Sequence, residues 1–384
     1  MAGVYVHVPF CKSRCVYCGF FSTTRHELRQ PFVDAVCKEW GLRQQELSEP
    51  VQTIYIGGGT PSQLQPAQLQ ALFNNLTEKM DTSQLTEVTI ECNPDDVTEP
   101  FAALLASLPV NRVSMGAQTF SDERLRFLRR RHTAAQVSQA VGRLRAAGIG
   151  NISIDLIYGF PGQTIDEWHD DVSAALALKV EHLSAYALSF EEGTALYAML
   201  QHGDVEEADE ELSRQMYYDL KDRLTAAGYE HYEISNFARP GFRSQHNSSY
   251  WNGTPYVGLG AGAHSYDGRQ RSWNIDDVEA YIGGVGRAWS RFVAGDEPED
   301  ATGGWRDGEV LDATSRYDDL VMTALRTCEG LDLSLLDDGQ RSYCLQMAKR
   351  YVDSGLLVSD ARRLRLSRDG LFVSDMILRD LMKG

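Results

Sequence analysis

No apolar run in this chain approaches the roughly 20 residues that a membrane-spanning helix needs, so the sequence predicts no transmembrane segment. The opening MAGVYVHVPFCKSRC has no basic residue ahead of its short apolar stretch, which His7 interrupts, and so lacks the pattern of a secretory leader. Basic residues are scarce as well. The 37 Lys and Arg are outnumbered by 54 Asp and Glu, and the formal net charge of -17 repels phosphate backbones and argues against a nucleic-acid partner. Cysteines number seven, an odd count, with three packed between positions 11 and 18 and four scattered. That pattern argues against a disulfide framework and points to reduced thiols in a cytoplasmic setting.

What is present is enough for a large core: 384 residues, 43% of them hydrophobic and 10% aromatic. Short β-branched or apolar runs stand at 3–8, 52–56, 87–92, 112–115, 151–159 and 182–188, with helical patterns between them. Between the fourth and fifth runs, for example, Ala135, Val137, Ala140, Val141, Leu144 and Ala147 fall near 3.6-residue spacing, and Gly148 follows as a stop. Nearly continuous apolar strands separated by helices form a parallel sheet. The α/β fold expected is a partial or complete TIM-type barrel of parallel strands with a small C-terminal helical, winged-helix-like domain. Barrel chemistry gathers at the C-terminal strand ends, which is where PFCKSRCVYCGF, GGGTPS, ECNPDD, GAQTF and GFPGQT fall. The polar, Gly-rich AGDEPEDATGGWRDGE between about 290 and 308 reads as a boundary. The division predicted is a barrel over 1–240, an extension over 241–295 and a small domain over 296–384. In the last, acidic residues over 317–338 outweigh the short basic ARRLRLSR, which favours a structural or lid role over DNA binding.

Cys11, Cys15 and Cys18 stand at C-x3-C-x2-C in one loop after the first strand, presenting three thiolates toward one point. That geometry suits an iron-sulfur cluster or a zinc ion. A structural zinc site closes its fourth position with Cys or His, and this loop has no such residue, which favours a [4Fe-4S] cluster with one iron open. Gly57-Gly58-Gly59-Thr60-Pro61 follows the second strand, where absent side chains let backbone approach a ligand and Thr60 offers a hydroxyl. It lacks the lysine of a P-loop and does not follow G-x-G-x-x-G. Glu91, Gln118 and Asp155 are polar groups at strand mouths, and Arg130 suits a carboxylate. Cys37, Cys92, Cys328 and Cys344 have no partners at ligand spacing and read as small packed hydrophobes.

With Tyr17 as the aromatic before its last cysteine, the loop resembles that of the radical S-adenosylmethionine (SAM) superfamily. The order YVHVPFCKSRCVYCGF, IYIGGGTPS, ECNP, GAQTF and IDLIYGFPGQT resembles, over nearly the whole chain, its coproporphyrinogen III oxidase-like branch. The resemblance implies a cluster on the three cysteines, SAM chelating the open iron, and reductive cleavage of SAM to a deoxyadenosyl radical. It implies Tyr5, Tyr17, Gly58, Gly59, Thr60, Glu91, Gln118, Arg130 and Asp155 at SAM, with the backbone near Ser189 beside adenine.

Within that branch, the oxygen-independent oxidase carries another cysteine two positions after the third and a longer lead before the first. This chain has Phe20 there and only ten residues before Cys11. A haem-chaperone subfamily shares both departures, and its H-N-x-x-Y-W motif resembles His246-Asn247-Ser248-Ser249-Tyr250-Trp251. The resemblance implies His246 as the haem-contacting residue, with Tyr250 and Trp251 supplying aromatic surface to the flat macrocycle. His7 and His264 are competing imidazoles. The function expected is a haem carrier that passes its cargo to an acceptor protein, one that could sit at a membrane, with an electron donor serving the cluster. The alternative is radical-initiated decarboxylation of coproporphyrinogen III.

Overall fold

The computed structural model describes residues 2–78, 80–295 and 304–384. All six expected strands form: β1 (Ala2–Val8), β2 (Val51–Gly58), β3 (Glu87–Cys92), β4 (Arg112–Gln118), β5 (Asn151–Tyr158) and β6 (His182–Ala187). They pair in chain order, all parallel. The crossovers carry α1 (Arg29–Arg43), α2 (Pro66–Glu78), α3 (Glu99–Ser107), α4 (Asp122–Phe127), α5 (Ala134–Ala146) and α6 (Ile165–Ala177). In α5 the spacing seen in the sequence becomes a buried stripe of Val137, Ala140, Val141 and Leu144. Thr133 and Gln136 close a capping box at its start, and Gly148 takes φ 92° just past its end.

Beyond β6 come α7 (Ala195–His202), α8 (Glu210–Ala226), and the hairpin β7 (Glu230–Glu233) and β8 (Asn236–Ala238), which adds antiparallel to β6. After α9 (Gln245–Asn252), β9 (Tyr256–Leu259) returns to the other side of β1 and pairs with it in parallel. Then follow β10 (His264–Tyr266), β11 (Gln270–Asn274), α10 (Val278–Ala294) and β12 (Arg306–Val310), the strands joining antiparallel. The result is one sheet of order β12-β11-β10-β9-β1-β2-β3-β4-β5-β6-β8-β7. Among the described residues β12 and β7 do not pair, so the barrel is a partial one.

A buried polar network fastens the returning strands to α1. Glu39, wholly buried, accepts from Arg43 Nη1 at 2.7 Å, from Asn274 Nδ2 at 2.8 Å and from the Gly260 N–H at 2.8 Å, and Tyr281 donates its hydroxyl to the same carboxylate. Arg43 also donates to the Gly258 carbonyl at 2.8 Å. Each charge is met by hydrogen bonds, which is the condition under which a buried ion pair is tolerated.

The C-terminal part comprises α11 (Ala313–Ala324), β13 (Leu331–Asp332), α12 (Asp338–Asp353), β14 (Leu357–Ser359), β15 (Arg363–Leu366), α13 (Arg368–Phe372) and α14 (Ser374–Leu381). Its three strands form a separate sheet of order β13-β15-β14 over a second core that includes Tyr317, Val321, Cys344, Tyr351 and Leu378. The expected boundary at 295/296 adjoins 296–303, which lie outside the described residues. Trp305 packs in the large core and 306–310 forms the edge strand of the large sheet, so the small core starts at Tyr317. No described helix is long and apolar enough to cross a membrane.

Candidate functional site

The cysteine loop is tied at its neck. Cys11 N–H donates to the Thr23 carbonyl at 2.9 Å and Thr23 N–H to the Pro9 carbonyl at 2.7 Å, so the chain leaves β1 and returns to it. Arg14 braces the interior, donating to Ser22 Oγ at 3.1 Å and Ser22 O at 2.8 Å. The Cys11 sulfur lies 3.5 Å from Thr60 Oγ1, and Arg130 Nη1 donates to the Cys15 sulfur at 3.6 Å. Burial raises the Cys11 and Cys18 thiols above their usual pKa, so metal uptake would release their protons. Among the described residues no three His, Cys, Asp or Glu side chains converge on a single ion.

Beneath the loop, at the C-terminal strand ends, lies a cavity of about 510 Å³. Cys11, Cys15, Cys18, Tyr17, Gly58, Gly59, Thr60, Glu91, Gln118, Arg130, Asp155 and Ser189 all line it, so the structure brings together every expected SAM residue except Tyr5. The glycines have a steric reason not read from the sequence. A Cβ on Gly59 would lie 2.8 Å from the Pro9 carbonyl carbon and 3.1 Å from the Cys11 sulfur, so the end of β2 passes directly under the cysteine loop. Gly58 takes φ 111°, which favours glycine.

Glu91 accepts from the Tyr55 hydroxyl at 2.7 Å and the Gly58 N–H at 3.1 Å, yet burial pushes its pKa up to about 7. Burial likewise pushes Asp155 up to about 6. Gln118 sits at φ 68°, where the β4–β5 register shifts. Such backbone in a non-glycine residue costs energy and clusters at functional sites. Arg130 donates to Asn93 Oδ1 at 2.6 Å and to the Gly116 carbonyl at 2.8 Å, and its buried Nε has no partner.

Arg112 is a cavity-lining residue that the sequence reading did not single out. It is 1% exposed, lines this cavity, and its buried Nε and Nη1 have no hydrogen-bond partner. Two buried carboxyls, two arginines with unpaired nitrogens and three thiols give the donor set that a ligand with an ammonium, a carboxylate and hydroxyls needs beside a cluster. The residues present therefore fit SAM and a three-thiolate cluster.

A second cavity, of about 1040 Å³, adjoins the first, and the two share Gly19, Phe20, Gly58 and Glu91. Tyr5 lines this larger cavity rather than the smaller one, with its hydroxyl 2.9 Å from His7 Nδ1. Tyr250 and His264 line it too. His246 and Trp251 line neither cavity. His246 is 0% exposed, with Nδ1 2.8 Å from Thr53 Oγ1 and Nε2 3.0 Å from the Tyr250 hydroxyl, and its ring stacks on Tyr55. The contact expected of it is not open in this arrangement, because both nitrogens are taken and no face is free. Trp251 has a buried indole N–H without a partner.

An open parallel barrel with a C-x3-C-x2-C loop poised over a polar cavity at its strand ends defines a protein of the radical SAM class. The sequence profile of the radical SAM superfamily matches residues 5–175, and that of the HemN C-terminal domain matches 311–373. The chain is 33% identical to the heme chaperone HemW of Lactococcus lactis subsp. lactis (strain IL1403), over 98% of this chain and 96% of that protein. It is 34% identical to the heme chaperone HemW of Mycobacterium tuberculosis (strain ATCC 25618 / H37Rv), over 99% and 94%. In structure it resembles the coproporphyrinogen III oxidase HemN from Escherichia coli, a radical SAM enzyme, with a TM-score of 0.82 at 22% identity over 100% of this chain and 90% of that one. This chain belongs to the HemW family.

Proposed function

We propose that this chain is a haem carrier: it binds haem, holds a [4Fe-4S] cluster on Cys11, Cys15 and Cys18 with SAM in the smaller cavity, and releases haem to an acceptor protein. The observation that carries the reading is the nearly full-length similarity to proteins named heme chaperone HemW. The structure supports it with a cavity at the top of the roughly 300–1,000 Å³ range of cofactor sites, aromatic in lining and sharing a wall with the cluster cavity.

When bound, the cluster and SAM supply one-electron chemistry. The chain's own contribution is positional. Glu91 and Asp155 receive the ammonium and hydroxyls, Arg130 and Arg112 offer donors to the carboxylate, and Tyr17 and the cysteine loop cover the cavity against water. The reading calls for an electron donor and a haem acceptor as partners, and for a reducing, cytoplasmic compartment, in keeping with seven free cysteines. Decarboxylation of coproporphyrinogen has the shared fold in its favour, but Phe20 stands where the oxidase carries its further cysteine.

The test uses anaerobically reconstituted protein. One equivalent of haem is added and then offered to apomyoglobin as a general acceptor, and coproporphyrinogen III is supplied with SAM and reductant in parallel. Haem uptake and release without porphyrinogen turnover is expected. Sustained formation of protoporphyrinogen IX would overturn the carrier reading.

A further inference from the structure

We propose that Lys12, Arg14, Arg126 and Arg129 form the docking surface of a small acidic one-electron carrier protein, which reduces the cluster on Cys11, Cys15 and Cys18. The inference rests on the cluster reading and gives the electron donor that it calls for a place on this chain.

The chain carries a formal net charge of -17, so cations left without a carboxylate are the unusual feature of its surface. Lys12 and Arg14 lie exposed between Cys11 and Cys15. Arg14 donates to Ser22 alone, and Lys12 makes no ion pair among the described residues. The stretch after α4 lies against the same loop. Val16 N–H donates to the Leu128 carbonyl at 3.3 Å, and the two side chains share a small core. On either side of Leu128, Arg126 and Arg129 are exposed and also free of ion pairs among the described residues. Carboxylates of the neighbouring segments are engaged: Glu167 with Arg124, Asp95 with Arg131 and Glu27 with Arg25, while Glu191, beside Gly19, accepts from Ser189 Oγ at 3.1 Å.

Arg129 holds φ 58°, a costly backbone for a residue with a side chain. There the chain parts two consecutive arginines, Arg130 reaching inward to the Cys15 sulfur at 3.6 Å while Arg129 stays exposed. One turn thus serves a thiol from inside and presents a cation outside. Phe20, 71% exposed at the end of the loop, adds apolar contact area to the charged rim. A protein seated here stands directly against the loop that holds the cluster. Transient redox encounters bury little area and are steered by opposite charge, and on an otherwise acidic chain a local positive field guides an acidic partner to this face. In the encounter the carrier is oxidised by one electron and the cluster is reduced by one, with no bond formed and no proton or atom transferred.

The probes are purified flavodoxin and a plant-type ferredoxin, both acidic, offered separately to anaerobically reconstituted protein whose iron content is checked. Affinity is measured across a salt series, and cluster reduction is followed by electron paramagnetic resonance. Lys12→Glu/Arg129→Glu is compared with Lys179→Glu/Arg269→Glu, a variant of equal charge whose sites, in the turn before β6 and in the β10–β11 turn, stand at the opposite end of the sheet from the loop. The wild type should bind at least one probe weakly, and less as salt rises. The loop variant should bind it about tenfold more weakly and be reduced by it about tenfold more slowly, while photoreduced deazariboflavin, which has no protein surface, reduces it at the wild-type rate. The distal variant should behave as wild type. If the loop variant fails to hold iron, Lys12→Gln/Arg129→Gln takes its place. A loop variant that matches the distal one, or a wild type that binds neither probe at low salt, would overturn the assignment. A wild type that takes up no iron would overturn the cluster reading itself.

Discussion

His246 Nε2 and the Tyr250 hydroxyl lie 3.0 Å apart across one turn of α9, and Thr53 Oγ1 meets the opposite ring nitrogen at 2.8 Å. The imidazole is thus a buried tie between α9 and β2. Burial pushes its pKa down to about 3, so it is neutral near pH 7. Replacing it with Ala removes a stacked ring and strands two hydroxyls. The apoprotein should lose about 3 kcal/mol in urea unfolding. A loss under about 1 kcal/mol would show that the ring is not a structural tie.

Replacing Cys11, Cys15 and Cys18 together by Ala should bring iron from about four per chain to none after anaerobic reconstitution. Replacing Cys37, Cys92, Cys328 and Cys344 together should leave the iron count unchanged. Equal iron in the first variant and the wild type would remove the cluster assignment.

Arg112→Met tests the residue that the sequence did not single out. It lines the smaller cavity and carries two buried nitrogens without a partner, so its charge is left for a ligand to meet. SAM affinity by equilibrium dialysis should fall about tenfold, the scale of one lost hydrogen bond to a charged group. Unchanged affinity would leave Arg112 a structural residue.

Glu91 and Asp155 make apoprotein stability depend on pH. Their folded pKa values of about 7 and about 6 stand above the ordinary 4.5 and 3.8, burial being the first cause of each. The folded state therefore holds more protons than the unfolded chain. The stabilisation is complete below the ordinary values and is lost as pH rises through the folded ones. At about 1.4 kcal/mol per unit, Glu91 alone corresponds to about 3 kcal/mol. Urea midpoints should fall between about pH 5 and about pH 8, and Glu91→Gln should flatten the slope. A midpoint that rises with pH in wild type and not in Glu91→Gln would show the carboxylate to be stabilised by a partner.

The six parallel strands were legible because each is a short apolar run bounded by turn residues, and a period of 2 or 3.6 survives in the sequence. The cysteines and most of the polar residues that line the smaller cavity were legible because they cluster at strand ends. Arg112, at the start of a strand, was not: its burial and its place in the cavity wall exist only in the folded chain. The partners of His7 and His246 were equally hidden, because Tyr5, Phe21, Thr53 and Tyr250, which meet their ring nitrogens, stand up to 193 positions away. β9 beside β1 was missed as well, since four residues carry too short a pattern to announce a parallel partner.

That last pairing has a consequence for assembly in time. β1 supplies the stem of the cysteine loop and is bonded on one side by β2 and on the other by β9, which begins at Tyr256. During synthesis at roughly 5–20 residues per second, its second neighbour emerges some tens of seconds after the cysteines do. Through that interval the stem of the loop is a half-paired edge. Cluster insertion into a finished site therefore belongs after translation of residue 259, and a truncated chain ending before Tyr256 would carry its cysteine loop on a stem paired on one side only.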